Sequence, residues 1–258
     1  MKAIHSYLKS QEDIQSIMDG LLAGIKEQMV AGLSGSARSL LLSTIYQSMN
    51  RPLLIVTHQL AQAQQLYDDL AELTNDEGVY LYPVNELIAS EMAVASPELR
   101  AQRIEALTAW TRKDKGILIA PVAALKRMLP PKSYWNKYQL LFQVGKDIEM
   151  EVYLRSLVEM GYESTSMVTA PGEFSQRGGL LISIQSRKSI RFVLNCLTRR
   201  LTLSAFFDAE SQRSLDKVEE VTINPATELL IDRQEMLKVA ERLEDALSDT
   251  LKKSQKTC

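Results

Sequence analysis

AGLSGSARSLLLSTIY, residues 31–46, has the outline of a phosphate-binding loop that leads into a helix. A working loop of this kind reads GxxxxGK[ST]: its backbone N–H groups surround phosphate, its lysine reaches the terminal phosphates and its hydroxyl holds magnesium. Here Gly32 stands at the first glycine position, Ser39 stands at the hydroxyl position and Gly35 lies between them. The stretch therefore predicts an α/β fold of the P-loop type.

Two residues of this stretch do not fit a working nucleotide site. Ala37 replaces the second glycine, and its Cβ disfavours a left-handed backbone and crowds a phosphate. Arg38 stands in place of the lysine, so a planar, forked guanidinium replaces a compact point charge. None of the apolar runs LLIVTH, VYLYP, ILIAP and LLFQV ends in an acidic residue that could hold magnesium. We expect a degenerate P-loop without catalytic residues or a nucleotide cofactor; weak anion binding at the helix N-terminus stays open.

Working outward, short apolar runs alternate with amphipathic segments up to residue 131. Helical spacing predicts helices at 11–30, 39–49, 59–73 and 96–110. Buried strands are predicted at 51–58, 78–83 and 116–121. Ser96 and Pro97 fit the N-cap and the first helical position of the fourth helix. Alternation of this kind predicts a parallel sheet built from βαβ units.

The pattern changes after LPP, residues 129–131, where we place a boundary. Strands are predicted at 138–145, 162–169, 179–184 and 218–223. A helix is predicted at 147–161, with Asp147 as its cap and Gly161 at its end, and an amphipathic helix is predicted at 232–253. The second part is therefore expected to be a smaller α+β domain.

Composition excludes several classes of protein. The 258 residues carry a net charge of -2, so no overall basic field points to nucleic acid or to an anionic membrane. No secretory signal or run of membrane-spanning length is found. Cys196 and Cys258 form no CxxC motif, and His5 and His58 are far apart, so neither a disulfide nor a metal site is expected. We expect a reduced, cytoplasmic protein without membrane contact.

Five stretches carry a resemblance to one protein family. They are GLSGSARS (32–39), YPVNELIASEMAVASPELRAQRIEALTAW (82–110), ILIAPVAALKRMLPP (117–131), PGEFSQRGG (171–179) and FFDAESQRSLDKVEEVTINPATE (206–228). They resemble the bacterial transcription-repair coupling factors almost from end to end of this chain. The N-terminal module of that family is in turn similar to the excision-repair protein UvrB.

The resemblance implies a domain order and a function. Residues 1–131 would be a degenerate RecA-like lobe, residues 132–228 an inserted UvrA-binding domain, and residues 229–258 the truncated start of the next subdomain. The chain would be a non-catalytic adaptor that recruits UvrA to stalled RNA polymerase. Full-length family members are ATP-dependent DNA translocases that also bind RNA polymerase and DNA through parts beyond residue 258. A UvrB-like nucleotide-binding helicase fragment is the alternative.

The resemblance also points to the residues that would bind UvrA. In the GEFSQRG strand, Arg177 would be the charged anchor and Phe174 its apolar neighbour. Arg177 is equally compatible with a solvated surface position, and Phe174 with a buried core position. Glu163 stands where relatives can carry a basic residue, so a second basic contact is in doubt.

Residues 182–205 depart from the family pattern. Relatives continue with a sequence like DIYP…HPIRIELFDTEVDSIR, whereas residues 184–207 here contain five basic residues and no acid. The basic residues are Arg187, Lys188, Arg191, Arg199 and Arg200. A diverged hairpin with a basic face and a DNA-binding patch are two interpretations.

A slip of the reading frame is the third interpretation, and the one we favour. The family-like sequence DIYPVTEKHPIRIELFDTEVDSIR has an encoding that, without its first base, reads ISIQSRKSIRFVLNCLTRRLTLS, identical to residues 182–204. One extra T in a following T-rich run would supply Ala205 and restore FFDAE. The written segment loses much of the apolar alternation of a half-buried hairpin, so we expect it to destabilise the second domain.

We predict that the coding DNA from codon 178 to codon 210 carries one lost and one gained base relative to close relatives, because both changes are needed to explain the segment. Sequencing that region of the source DNA checks this. DNA that encodes the written residues with no trace of the second frame would establish a true divergence.

Overall fold

The computed structural model describes twelve ranges of the chain. They are residues 2–49, 51–75, 78–84, 96–112, 116–126, 128–177, 180–184, 190–197, 200–208, 214–217, 219–230 and 237–247. Between 180 and 217 only the backbone is described. Arg187, Lys188, Arg199 and Cys258 lie outside the described residues.

Two helices begin the chain, and from Ala37 to residue 126 helices and strands alternate. The helices are α1 (Lys2–Lys9), α2 (Glu12–Leu22), α3 (Ala37–Ser48), α4 (Leu60–Leu73), α5 (Pro97–Arg112) and a 3-10 helix (Val122–Lys126). The strands are β1 (Leu53–Thr57), β2 (Val79–Leu81) and β3 (Ile117–Pro121). None of the helices in the described ranges is long and apolar enough to cross a membrane.

The three strands form a parallel sheet in the order β1-β3-β2. All five residues of the central strand β3 are buried, as expected for a strand covered on both faces. Ile117 and Ile119 pack with the α4 residues Ala63, Leu66 and Leu70 on one face. On the other face, a cluster that includes Leu118 and Ala120 also contains Ile104 and Leu107 of α5. The α/β class and the parallel sheet are confirmed, and the RecA-like detail stays a prediction.

Beyond residue 130 the chain forms two further sheets. The elements are α6 (Lys132–Lys137), β4 (Leu140–Gln143), α7 (Met150–Glu159), β5 (Glu163–Ser164), β6 (Glu173–Arg177), β7 (Leu180–Ile184), β8 (Ile190–Leu197), β9 (Arg200–Asp208), β10 (Ser214–Lys217) and β11 (Glu220–Ile223). Six strands run in the order β10-β9-β8-β7-β6-β5, antiparallel except for the parallel pair β5–β6. Strands β4 and β11 form an antiparallel pair.

The basic segment takes part in this second sheet through its backbone. Strands β8 and β9 pair antiparallel over most of the departing segment, and the register shifts between Asn195 and Cys196. A hairpin is compatible with all three interpretations of the segment. The frame slip therefore stays a prediction.

Two predicted helix boundaries are wrong. The helix predicted at 11–30 ends at Leu22, because Gly24 adopts φ 78° and the Ile25 N–H donates to Gly20 O at 2.9 Å. This is the Schellman arrangement, in which a left-handed glycine stops the helix. Asp147 does not cap α7, whose N-cap position is Glu149 and has no side-chain hydrogen bond.

The strand predicted at 162–169 is a strand only at Glu163–Ser164, whereas several other predictions agree with the structure. Pro97 is the first residue of α5, and the carbonyl of Ser96 accepts a hydrogen bond from Arg100 N at 3.1 Å. The Ser96 hydroxyl donates to the Glu98 carboxylate. Gly161 has φ 83° directly after α7 and ends it. Of the predicted helix at 232–253, the structure describes residues 237–247, and these are helical.

His5 connects α1 to α3. It is buried; its Nδ1 lies 3.1 Å from Thr44 Oγ1, and its Nε2 lies 3.0 Å from Gln47 Nε2. Burial, assisted by the charge of Lys9, lowers the pKa of His5. The neutral form of the imidazole is therefore favoured, and its two ring nitrogens link α1 to Thr44 and Gln47 of α3.

A buried ion pair joins the two parts of the chain. Arg103 on α5 and Glu228, which follows β11, are exposed by only 2% and 7%. Arg103 Nε donates to Glu228 Oε1, and Nη2 donates to Glu228 Oε2 at 3.0 Å. Nη1 donates to the carbonyl of Pro83, Nη2 also donates to the Tyr82 hydroxyl, and the guanidinium carbon lies 3.9 Å from the Tyr82 ring centroid. The guanidinium is thus nearly saturated with partners taken from both parts of the chain.

We predict that Arg103→Met lowers the free energy of unfolding by about 3–5 kcal/mol, because it leaves the Glu228 carboxylate buried without its partner. Urea unfolding measures the change. Arg100→Met, at a partly exposed position of the same helix, is the control and should change stability by about 0.5 kcal/mol or less. Equal effects of the two substitutions would contradict a structural role for the ion pair.

Candidate nucleotide and partner-binding sites

The loop of residues 31–38 has the backbone of a tight turn. Gly32 and Gly35 have φ of 82° and 53°, a region that favours glycine. Helix α3 begins at Ala37, whose N–H donates to Ser34 O at 3.2 Å. Ser36 occupies the N-cap position and makes no side-chain cap hydrogen bond. The glycines therefore serve the turn itself, whether or not a phosphate binds.

The hydroxyl at the magnesium position has a partner within the protein. Ser39 is 1% exposed, and its Oγ donates to Asp69 Oδ2 on α4 at 2.6 Å. The hydrogen bond from this hydroxyl to the carboxylate fastens α3 to α4. Arg38, the next candidate contact, is exposed.

An open groove runs beside this loop, with a volume of about 630 Å³. Its lining comes from α1, α2, residues 29–33 and α3, and it is mainly apolar. Asp13 is its one charged lining residue, and a carboxylate repels phosphate. The groove is therefore poorly matched to a nucleoside triphosphate. Within the described ranges, no group of three His, Cys, Asp or Glu side chains could hold a metal ion.

The structure separates the two residues expected to bind a partner. Phe174 on β6 is 3% exposed and belongs to a core cluster with Phe142 and Leu157. Arg177, at the end of the same strand, is exposed, and its Nη2 donates to Ser166 O at 2.8 Å. Of the interpretations left open, a core position describes Phe174, and a surface position describes Arg177. Glu163 is exposed on β5, opposite Glu173 of β6.

Sequence reasoning missed Glu173, which organises the loop before β6. Its Oε2 accepts hydrogen bonds from Thr169 N at 2.7 Å, from Ala170 N at 2.9 Å and from Thr169 Oγ1 at 3.2 Å. Burial acts to raise the pKa of Glu173, but these hydrogen bonds outweigh it and lower the pKa. The glutamate after the PG pair was a usable signal, because a carboxylate next to a turn readily accepts backbone N–H groups.

Comparison with known proteins identifies the second part of the chain. Residues 140–229 match the model of the UvrB interaction domain. Over 255 residues, 98% of its length, the chain is 45% identical to the transcription-repair-coupling factor of Bacillus subtilis strain 168, of which it covers 22%. Over 235 residues it is 36% identical to the corresponding factor of Staphylococcus aureus strain MSSA476, of which it covers 20%. The chain thus spans about a fifth of the length of these relatives.

An α/β lobe with a parallel sheet, followed by a UvrB interaction domain, defines a module of a DNA-repair protein. Over almost its whole length, the chain is similar to the N-terminal region of the transcription-repair-coupling factors. The resemblance given by the sequence is confirmed.

We predict that Ser39→Ala lowers the free energy of unfolding by about 1.5–3 kcal/mol, because a hydrogen bond to a charged group is lost from a buried position. Urea unfolding measures it. Ser36→Ala, three residues earlier and exposed, removes the same atom and should have an effect of about 0.5 kcal/mol or less. A smaller loss for Ser39→Ala than for Ser36→Ala would contradict the assigned link between α3 and α4.

Proposed function

We propose that this chain is a non-catalytic adaptor that binds UvrA and, as part of a larger protein, recruits it to RNA polymerase stalled on damaged DNA. The observation that carries the proposal is the UvrB interaction domain at residues 140–229, in a chain that matches transcription-repair-coupling factors over 98% of its length. The same proposal includes three properties of the larger protein. They are its contacts with RNA polymerase and DNA, its DNA translocation and its cytoplasmic location.

The domain division predicted from the sequence belongs to it as well. Residues 1–131 form the degenerate RecA-like lobe, residues 132–228 bind UvrA, and residues 229–258 begin a further subdomain. The family match and the pairing of β4 with β11 support the second of these units.

The absence of ATP hydrolysis is also proposed. Ala37 and Arg38 stand where a P-loop has glycine and lysine, and the Ser39 hydroxyl is held by Asp69. Without the second glycine and the lysine, the terminal phosphates lack their usual contacts. Sustained ATP turnover by the purified chain would instead support the UvrB-like helicase fragment.

Arg177 is the proposed charged contact with UvrA. It is exposed at the end of β6, within the matched domain. The guanidinium has five N–H donors, and the bond to Ser166 O fixes its direction while using one of them. Arginine is enriched at interfaces because its planar fork binds carboxylates and carbonyls with defined geometry.

We predict that Arg177→Ala weakens UvrA binding about tenfold or more, because a hydrogen bond from a charged group contributes about 1.5–3 kcal/mol. Calorimetric titration of the chain with purified UvrA measures the affinity. The unfolding temperature should move by less than about 3 °C, the shift that about 1 kcal/mol produces in a domain of this size.

Arg51→Ala is the matched control, since Arg51 is exposed but lies outside the matched domain. It should leave the affinity unchanged. If Arg177→Ala bound UvrA as tightly as the unaltered chain, Arg177 would not be part of the UvrA-binding surface. A folded chain that does not bind UvrA at all would end the adaptor proposal.

A further inference from the structure

The loop of residues 165–172, which connects β5 to β6, is fixed at one end by a carboxylate. One oxygen of Glu173 accepts the three hydrogen bonds from Thr169 and Ala170 described above. Hydrogen bonds to an ionised acceptor are roughly twice as strong as neutral ones. This end of the loop is thus held in its conformation without a bound partner.

The other end of the loop is attached to β6. Thr165 N donates to Phe174 O at 2.9 Å, and Thr165 Oγ1 donates to Met167 O at 3.2 Å. The carbonyl of Ser166 accepts from Ser175 Oγ at 3.3 Å and from Arg177 Nη2 at 2.8 Å. The guanidinium of Arg177 and the loop are therefore held in one fixed arrangement.

Two neighbouring apolar side chains of this loop have opposite environments. Val168 is 4% exposed and anchors the loop to the protein, whereas Met167 is 68% exposed. A buried anchor next to an exposed methionine keeps the methionine in solvent, beside the Arg177 contact. Methionine adapts its shape to a partner surface, and methionine and arginine are both enriched at protein interfaces.

We propose that loop 165–172 is a preformed part of the UvrA-binding surface, in which Met167 contacts UvrA and Glu173 is a positioning residue. The inference rests on the adaptor function proposed above, which supplies the partner. A loop folded before binding has less conformational entropy to lose on association. Arg177 then contributes direction and charge, and Met167, which follows the Ser166 that Arg177 contacts, contributes apolar area.

Met167→Ala tests the contact. We expect it to weaken UvrA binding about tenfold, as follows from losing the burial of a methionine side chain, with the unfolding temperature unchanged. Met128→Ala is the matched control, because Met128 is 94% exposed and lies outside the matched domain. It should change the affinity by less than about twofold.

Glu173→Gln tests the positioning role. Glutamine keeps the size of the side chain but removes the charge that strengthens the bonds from Thr169 and Ala170. We expect faster hydrogen exchange at those two amides and weaker UvrA binding. If Glu173 acts by presenting Met167, the variant that combines Glu173→Gln with Met167→Ala binds no more weakly than Met167→Ala alone.

The outcomes separate the two proposals. The loop inference would be overturned if Met167→Ala bound UvrA with full affinity, or if the losses in the double variant were additive. In either case, binding of UvrA by the unaltered chain would preserve the adaptor function. Absence of UvrA binding by the unaltered, folded chain would overturn both.

Discussion

The pairing of Arg103 with Glu228 is the interaction on which the arrangement of this chain depends. The two residues are 125 positions apart, and both are almost fully buried. A buried charge is tolerated only when it is paired and hydrogen-bonded, so neither residue can be buried without the other. Tyr82 and Pro83 complete the site from the end of β2. The ion pair in the first lobe therefore forms only when the segment after β11 packs against that lobe.

The return of the chain also closes the second part on itself. Strand β4 begins at Leu140, and it pairs with β11, the last strand before Glu228. Between β11 and Glu228, Ala226 N donates to Met160 O at 2.9 Å, and the Tyr162 hydroxyl donates to Asn224 O at 2.8 Å. The matched family model covers residues 140–229, from the first residue of β4 to the residue after Glu228. The domain that can be recognised by sequence is thus a unit whose first and last strands are hydrogen-bonded together.

Local signals in the sequence predicted much of this fold, and long-range polar contacts account for most of what they missed. Buried apolar runs and helical periodicity located the parallel sheet and the helices on its two faces, because burial repeats regularly along such elements. Gly24 carried the signal that ends α2, but the apolar spacing on either side of it favoured a longer helix. Polar residues with partners inside the protein, such as Arg103, Ser39 and Glu173, follow no period. Their partners are selected by the tertiary fold, so the sequence alone could not pair them.

The loop of residues 31–39 illustrates how the outline of a motif can have structural reasons of its own. Gly32 and Gly35 are needed for positive φ, and Ser39 is needed to hold Asp69, so three of the recognisable positions have structural roles. Ala37 and Arg38 stand at the positions that a phosphate would require to be glycine and lysine, and neither has such a role here. The chain thus has the three residues with structural roles and lacks the glycine and lysine that bind phosphate. A lobe would show this combination if it supports a binding domain and does no chemistry of its own. Function is then expected at the surface around β6 and not at this loop.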